Sequence, residues 1–298
     1  MSQFGLHFER YFQIRIVSVV EKTLQREREL HKQFWEYLKR KKFKGHELDV
    51  KRKDLQDYAE YQFSRKDIQR NTARNKVYVL KHFYVEAVKQ DWIVSSPWSG
   101  IQLPKVEHNP IDVMTVKQMK QFLELPNINT IKGVRDRTMF ELMYSCALRS
   151  SDLLSLTADH FQESNSLLRV KGKADKECVL PVGKVAKHFI NFYIEHIHSK
   201  INVLKEKKLF LSVATGKALN KNVLYGIMRS YSDQMFPNRP LGTHVFRYSI
   251  CTHLADEGVD IRYIQEFMRH SKPSTTMRYV SQSYQKLQQV FNETHPRS

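Results

Sequence analysis

The sequence predicts a mainly α-helical protein of two domains, with one small antiparallel β-sheet in the second domain. Apolar residues recur at helical spacing through the first third of the chain. Three prolines within 14 residues then interrupt this pattern. Two short β-type runs, LLRVK and ECVLPV, follow further along and favour a hairpin. Both domains are therefore expected to be helical, and the sheet is expected to be local.

The proline-rich stretch SPWSGIQLPKVEHNPIDVM marks the predicted domain boundary, because it has little periodicity and favours an extended backbone. We predict a helical N-terminal domain over residues 1–103, a linker over 104–111 and a second domain over 112–298. At 298 residues the chain is long enough for each domain to bury its own core.

Three amphipathic segments predict the strongest helices of the first domain: Val17 to Leu38, Asp54 to Phe63 and Asn71 to Trp92. A basic run, KRKKFKGHELDVKRK, separates the first two. Such a run is either a solvated surface or a contact for phosphates, and the start of the third helix adds further cations. The candidate contacts for a nucleic-acid backbone are Lys39, Arg40, Lys41, Lys42, Lys44, Arg74 and Lys76.

The second domain is predicted to begin with a helix capped by Thr115, followed by a helix over Val134 to Ala147 and a short one after a turn. The hairpin comes next, with Lys173 near its tip, and the run LFLSV is a candidate third strand. Gly258 joins two further helices. An amphipathic helix follows Tyr279 and is expected either to pack in the core or to dock on a neighbouring subunit.

The charge of the chain indicates a polyanionic partner. Lys and Arg number 49 against 31 Asp and Glu, a net charge of +18. Residues 1–110 hold 22 basic and 14 acidic residues and the remainder holds 27 and 17, so the excess is spread over both domains. Cations that neutralise phosphates release condensed counterions, and this favours binding to nucleic acid.

Neither a membrane nor a disulfide framework is predicted. No run of 18 apolar residues occurs, and the N-terminus lacks a signal-peptide core, so we expect a cytoplasmic protein associated with the nucleoid and no membrane partner. Cys146, Cys178 and Cys251 have no paired or metal-ligand spacing and are expected to be small core residues of a reducing compartment. A zinc site at His244, Cys251 and His253 fits no usual ligand spacing, so no metal is predicted.

Six residues have the chemistry that phosphodiester transfer without a metal requires. Such a reaction needs cations on the non-bridging oxygens, an acid for the leaving oxygen and a nucleophile in line with it. In chain order the candidates are Arg149, Lys173, His244, Arg247, His270 and Tyr279.

This ordered set resembles the tyrosine recombinase (phage integrase, Xer-like) family. The resemblance lies in CALRSSDLLSL, VKGKADKECVLPV, GTHVFRYSICTHLADEGVDIRYIQEFMRHS and STTMRYV. These follow the family order: an arginine with a nearby acidic residue, a hairpin lysine, His-x-x-Arg, a second histidine, and a tyrosine nine residues later. The resemblance covers about residues 112–283 and extends more loosely to the helical N-terminal half.

The resemblance assigns the phosphate contacts to two arginines. Arg149 and Arg247 would bind the scissile phosphate, where a planar guanidinium donates two parallel hydrogen bonds and stays charged. Asp152, one helical turn beyond Arg149, would orient it. His270 occupies the position that donates a hydrogen bond to the phosphate.

The resemblance also assigns the proton transfers and the nucleophile. Lys173 would protonate the 5′-oxygen leaving group, and His244 would accept the tyrosine proton or hold the phosphate. Tyr279 would attack and leave a 3′-phosphotyrosyl enzyme, although a free tyrosine has a pKa of about 10 and needs neighbouring cations or a base. This intermediate conserves the phosphodiester energy, so no cofactor is expected.

Some positions depart from the family pattern or compete with it. Arg269 stands before His270 where the family usually has Gly, so the turn differs or gains a phosphate contact. Lys171 and Lys176 compete with Lys173 as the acid. Tyr284 and Tyr248 are alternative nucleophiles without the spacing to His270, and Tyr248 and Tyr263 are expected in the core.

The resemblance implies a site-specific recombinase whose two domains close around duplex DNA as a clamp. A homotetramer, alone or with a paralogue or accessory protein, would exchange strands between two specific sites through a Holliday junction. Two alternatives remain at this point: a type IB topoisomerase-like enzyme that relaxes DNA, and a sequence-specific DNA-binding protein without activity. A complete set of six residues argues against the second, because binding alone needs no positioned tyrosine.

Overall fold

The computed structural model describes residues 5–105, 112–171, 177–269 and 291–296. The chain divides into two compact units, Met1–Asn109 and Pro110–Ser298. The described residues are mostly helical, with one three-stranded antiparallel sheet in the second unit, so the predicted fold class is confirmed. The predicted domain bounds stay a prediction, because most of the linker lies outside the described residues.

The described part of the first unit consists of helices and connecting turns around an aromatic core. Its helices are α1 Leu6–Arg15, α2 Glu21–Arg40, α3 Arg52–Ser64 and α4 Arg70–Lys89. The largest buried side chains of this core are Phe8, Tyr11, Phe12, Phe34, Tyr58, Phe83 and Tyr84. The rings of Phe8 and Phe83 lie 4.5 Å apart, a spacing at which aromatic pairs stabilise a core beyond their buried area.

The helix predicted from Val17 begins later than expected. α2 starts at Glu21, and Val17 and Val20 are 90% and 66% exposed, although their helical spacing with Leu24 predicts that both lie on its apolar face. Val20 has extended backbone geometry as the residue before the helix, and a turn joins it to α1. α1 itself buries three aromatic residues of the same core, Phe8, Tyr11 and Phe12.

The second unit is built around helix α6, Ile131–Ser145, whose side chains are buried almost along its whole length. α5, Val116–Glu124, precedes it, and the predicted Thr115 cap is confirmed. Its hydroxyl accepts the Gln118 N–H at 3.2 Å while the Gln118 side chain accepts the Thr115 N–H at 2.9 Å. This capping box satisfies two backbone donors that the helix leaves free. α7, Ser150–Ser155, follows α6 after a short turn.

The sheet confirms the predicted hairpin and changes its third strand. β2 Leu167–Lys171 pairs antiparallel with β3 Glu177–Pro181, and β1 Phe161–Gln162 adds to the other edge of β2. The run LFLSV is not a strand of this sheet and forms only an isolated bridge at Leu211. Three of its residues, 209–211, are all buried, and they pass through the core rather than alternating between core and solvent.

The remaining helices complete the second unit. They are α8 Lys184–Phe192, which continues through a π-helical segment into α9 Ser199–Ile201, then α10 Lys221–Met235, α11 His244–Asp256 and α12 Ile261–Phe267. Gly258 has φ +79°, and the Val259 N–H donates to Leu254 O at 3.0 Å. This left-handed turn ends α11 and confirms the predicted helix pair.

The described part of the C-terminal segment packs on its own chain. Residues 291–294 are helical, and the ring of Phe291 is buried 5.6 Å from that of Phe267 in α12. Of the two predicted alternatives, packing in the core therefore holds for residues 291–296.

None of the helices in the described residues combines the length and apolar character that crossing a membrane requires. Cys146 is buried, whereas Cys178 and Cys251 are only half-buried, and all three are free thiols. The expectation of core cysteines therefore holds fully for Cys146 and in part for the other two.

Candidate active site

Arg149 leaves the core at the turn between α6 and α7. α6 is ended by Ala147, whose φ is +48°, and the Leu148 N–H donates back to Met143 O at 3.2 Å. Left-handed geometry is uncommon for a residue with a Cβ, so this turn is a strained feature held by its surroundings. Arg149 then takes the cap position of α7, with its side chain about one third exposed.

Asp152 holds the backbone of Arg149 rather than its guanidinium. The Asp152 carboxylate accepts the Arg149 N–H at 3.0 Å and so caps α7. The Arg149 Nη1 atom is 4.0 Å from Asp152 Oδ2, the limit of an ion pair. Asp152 therefore contacts the main chain of Arg149 more closely than its guanidinium, and its orienting role stays a prediction.

Arg247 is the most deeply buried cation of the site. It lies on α11, is 3% exposed, and donates from Nη1 to Ala147 O at 2.6 Å and from Nη2 to Met268 O. Burial, followed by the charges of Arg149 and Arg269, lowers its pKa to about 10. A guanidinium does not lose its proton at neutral pH, so the group stays charged, and holding this charge in a buried place lowers the free energy of unfolding.

The two predicted phosphate-binding arginines converge on the turn that precedes His270. Arg149 Nη2 lies 3.5 Å from Met268 O and 3.3 Å from Arg269 O, and Arg247 also donates to Met268 O. Arg149 and Arg247 are 98 positions apart in the chain, and the end of α6, α11 and α12 bring them together. Convergent guanidinium groups of this kind suit an anion with several oxygens.

His244 stands at the start of α11, one turn before Arg247. His244 is exposed, and its ring lies 6.0 Å from the ring of Tyr248. Partial burial, followed by the charges of Arg247, Lys221 and Arg149, lowers the pKa of His244. The imidazole is therefore neutral near pH 7 and is able to accept a proton.

Arg269 is the feature that sequence analysis noted without finding its partner. Its φ is +50°, so this arginine has the left-handed backbone that a glycine adopts easily. Its side chain is 9% exposed, and its Nη2 atom donates to the Asp152 carboxylate, which is equally buried. The only sequence signal was the place of Arg269 beside His270.

The structure leaves part of the predicted set untested. Lys173, His270 and Tyr279 lie outside the described residues, as do the rivals Lys176 and Tyr284. The catalytic roles of the residues that are described stay predictions.

Of the other tyrosines considered, Tyr263 is partly buried against the core as expected, but Tyr248 is 38% exposed, so its expected core position was wrong. It follows Arg247 by one residue and therefore points to a different side of α11.

The predicted DNA contacts differ in exposure. Lys39, Arg40, Lys41, Lys42 and Lys44 are all exposed at the end of α2 and in the turn after it. Arg74 and Lys76 are only half-buried on α4, and Lys76 Nζ donates to Gln33 Oε1 at 2.9 Å.

Potential metal ligands meet in one place within the described residues. The ligand atoms of His7, His46 and Glu47 lie within 4.8 Å of one another in the first unit. Glu47 also accepts the His7 N–H at 2.5 Å at the start of α1, so helix capping accounts for the buried carboxylate.

Of the residues considered for a zinc site, His253 has other partners for both ring nitrogens. His253 is buried, with Nδ1 2.9 Å from the Tyr144 hydroxyl and Nε2 2.8 Å from Met114 O.

Both units match known families. Residues 112–286 match the phage integrase family, and residues 3–105 match the phage integrase SAM-like domain. The tyrosine recombinase XerD of Staphylococcus aureus (strain Mu50) is 32% identical over 222 residues, 74% of this chain and 74% of that protein. The XerD of Staphylococcus haemolyticus (strain JCSC1435) is 31% identical over the same share of each.

Solved structures share the fold at lower identity. The Tn1549 transposon integrase, in complex with a circular intermediate DNA, has a TM-score of 0.69 at 17% identity, covering 95% of this chain and 100% of that one. The XerH site-specific recombinase, bound to its difH substrate before cleavage, has a TM-score of 0.59 at 17% identity, covering 79% and 70%.

The family match spans more than half of the chain, and the relatives exceed 30% identity over about three quarters of it. The alternatives of a DNA-relaxing enzyme and of an inactive DNA-binding protein are therefore not favoured. The chain belongs to the phage integrase family: it is a tyrosine recombinase, an enzyme that acts on DNA and cuts and rejoins it by transesterification.

Proposed function

We propose that Tyr279 attacks the scissile phosphate while Arg149 and Arg247 hold its non-bridging oxygens. His244 accepts the tyrosine proton, His270 donates a hydrogen bond to the phosphate, and the hairpin Lys173 protonates the departing 5′-oxygen. Two guanidinium groups at fixed positions stabilise the charge that builds in the transition state more than the charge of the ground state.

The observation that supports this proposal is the cluster of cations around the Met268 carbonyl. Arg149, Arg247 and Arg269 are held within reach of one turn, and the Asp152 carboxylate pairs with Arg269 and lies at the ion-pair limit from Arg149. Burial first, and then the charges of Arg149 and Arg269, lowers the pKa of Arg247. A phosphodiester in contact with the cluster supplies the missing negative charge, which favours binding at this point.

The first unit is proposed to hold the DNA backbone. The exposed cations of residues 39–44, with Arg74 and Lys76, would contact phosphates, and the domains 1–103 and 112–298 would close around the duplex as a clamp joined by the linker 104–111. Because Lys76 is already hydrogen-bonded to Gln33, we expect it to contribute less than the lysines of the 39–44 turn.

The assembly that exchanges strands is proposed to be a tetramer. Four protomers, alone or with a paralogue or accessory protein, would join two copies of a specific site and pass through a Holliday junction in integration, excision or dimer resolution. The protein would act on DNA in the cytoplasm, at the nucleoid.

Trapping the covalent intermediate tests the chemistry. The substrate is a duplex with the site that the wild-type chain selects from a random-sequence pool, nicked so that the 5′-hydroxyl fragment diffuses away after cleavage. The wild-type chain should accumulate a covalent DNA adduct, and Tyr279→Phe should bind the same duplex without forming one.

Two matched variants make the assignment specific. Tyr248→Phe and Tyr284→Phe remove the rival hydroxyls by the same change, and both should retain the adduct. An adduct that persists in Tyr279→Phe and disappears in either of the other variants would overturn the assignment. Relaxation of plasmid DNA that carries no selected site, without exchange between sites, would favour a topoisomerase.

A further inference from the structure

We propose that Arg269 is a positioning residue that keeps Asp152 from neutralising Arg149. The Arg269 guanidinium acts as the counter-ion of the Asp152 carboxylate, so the Arg149 side chain keeps its charge for the substrate. This inference rests on the proposed role of Arg149 at the scissile phosphate.

The backbone at Arg269 shows that this side chain is maintained against a conformational cost. Its φ of +50° is disfavoured for every residue with a Cβ, and glycine would adopt it without strain. Strain of this kind persists where contacts of the side chain compensate it. The described compensating contact is the ion pair with Asp152.

The Asp152 carboxylate lies between two arginines, and one oxygen atom serves both. Asp152 Oδ2 accepts from Arg269 Nη2 and from the Arg149 N–H at 3.0 Å, while the Arg149 guanidinium is 4.0 Å away from the same oxygen. Both partners of the Arg269 pair are 9% exposed, whereas the Arg149 side chain is 36% exposed. The carboxylate is therefore committed to the buried arginine.

Removing Arg269 changes that balance. A buried carboxylate without its partner is unfavourable, and within the described part of the chain the other cation at the ion-pair limit from Asp152 is the Arg149 guanidinium. A direct, two-pronged pair between Asp152 and Arg149 would use the same N–H groups that a phosphate requires. Arg269→Gly should thus impair cleavage by redirecting Arg149, although it relieves backbone strain.

Neutralising the carboxylate should restore the function. In the double variant Asp152→Asn with Arg269→Gly, the amide oxygen still accepts the Arg149 N–H, but no negative charge competes for its guanidinium. A purely structural role for the Arg269–Asp152 pair would lower the thermal stability and the duplex affinity of Arg269→Gly together with its rate, because a buried charge then lies unpaired. A rate that falls while stability and affinity are kept, and that the double variant restores, separates the two explanations.

The test is single-turnover adduct formation on the nicked duplex described above, with saturating enzyme. Arg269→Gly should be slower than the wild type by at least about 10-fold, since small misplacements of a catalytic group cost up to about 100-fold. The double variant should recover to within about 3-fold of the wild-type rate, while Asp152→Asn alone stays slower because Arg269 then lies buried without a counter-ion.

A second arginine–aspartate pair of the same unit provides the matched control. Arg239 pairs with Asp112 at the surface, so Arg239→Gly and Asp112→Asn repeat the chemical changes at an exposed pair and should leave the rate unchanged. Thermal unfolding and affinity for the intact duplex confirm that each variant folds. Should Arg269→Gly not fold, Arg269→Gln, which keeps a polar side chain without the charge, replaces it.

Two outcomes would overturn the proposal: a wild-type rate in Arg269→Gly, or a double variant that is as slow as Arg269→Gly. Failure of the wild-type chain to form any adduct would contradict the proposed function itself, and this inference with it. The two failures are distinct, because the first compares variants with an active wild type.

Discussion

Replacing Arg247 by methionine separates the stability of the site from its activity. The two hydrogen bonds from the charged group to Ala147 O and Met268 O contribute together about 3 to 6 kcal/mol. Against this, the fall of the Arg247 pKa from 12.5 to about 10 corresponds to a cost of about 3 kcal/mol for holding the charge in the folded state. Methionine has a similar length and suits a buried position. The free energy of unfolding should therefore fall by no more than about 3 kcal/mol.

Cleavage should respond far more strongly than stability. Removing one donor to a transition-state oxyanion costs about 100- to 1,000-fold in rate, and Arg247 offers two donors and a full charge. We expect Arg247→Met to bind the selected duplex, to unfold cooperatively in urea, and to form adduct at least about 1,000-fold more slowly.

Arg137→Met is the contrasting control. Arg137 is also buried, but it pairs with Glu141 at 2.8 Å within α6, away from the proposed chemistry. Removing the buried guanidinium that pairs with Glu141 should cost about 3 to 5 kcal/mol of stability. The reasoning is refuted if Arg247→Met cleaves within about 10-fold of the wild type, or if it loses as much stability as Arg137→Met.

Three further predictions concern charge and pH. Replacing Lys42 and Lys44 by glutamine should lower the slope of log affinity against log salt by about 0.9 for each DNA phosphate that the variant no longer neutralises, measured by fluorescence anisotropy; an unchanged slope would show that these lysines do not bind phosphates. Burial lowers the pKa of His31 from 6.5 to about 4 in the folded protein. As the pH falls, His31 therefore takes up a proton in the unfolded chain before it does so in the folded one. Relative to His31→Phe, stability in urea should be constant above pH 6.5 and decline by about 3 kcal/mol by pH 4, whereas parallel curves would contradict this. The pKa of His244 is lowered, so the rate of cleavage at subsaturating DNA should fall with decreasing pH only below pH 6.5. This fall should be absent in His244→Gln. A fall that begins at higher pH would exclude His244 as the base.

Periodicity and capping predicted the fold wherever local rules decide the structure. The Thr115 cap, the hairpin and the turn at Gly258 each depend on neighbours within a few residues, and each is present. Val17 and Val20 have the correct spacing for a core face, yet the helix begins after them and both side chains are exposed. Spacing alone cannot show where a helix begins or which apolar residues reach the core.

The site shows the same limit at long range. Residue order and chemistry selected Arg149, Asp152, His244 and Arg247 as candidates. The structure brings Arg149 and Arg247 to the Met268 carbonyl, and their charges help to lower the pKa of His244 after partial burial. The pairing of Arg269 with Asp152 spans 117 residues, and it depends on a left-handed backbone that no local pattern in the sequence specifies.

The central claim is that Tyr279 becomes covalently joined to DNA, and the position of the bond tests it most directly. Trypsin cuts after Arg278 and Lys286, so digestion of the nuclease-treated adduct yields the peptide YVSQSYQK, which contains Tyr279 and Tyr284. Fragmentation in a mass spectrometer should place the remaining nucleotide on the first tyrosine of this peptide. A nucleotide on the second tyrosine, or on a peptide that contains Tyr248, would contradict the account.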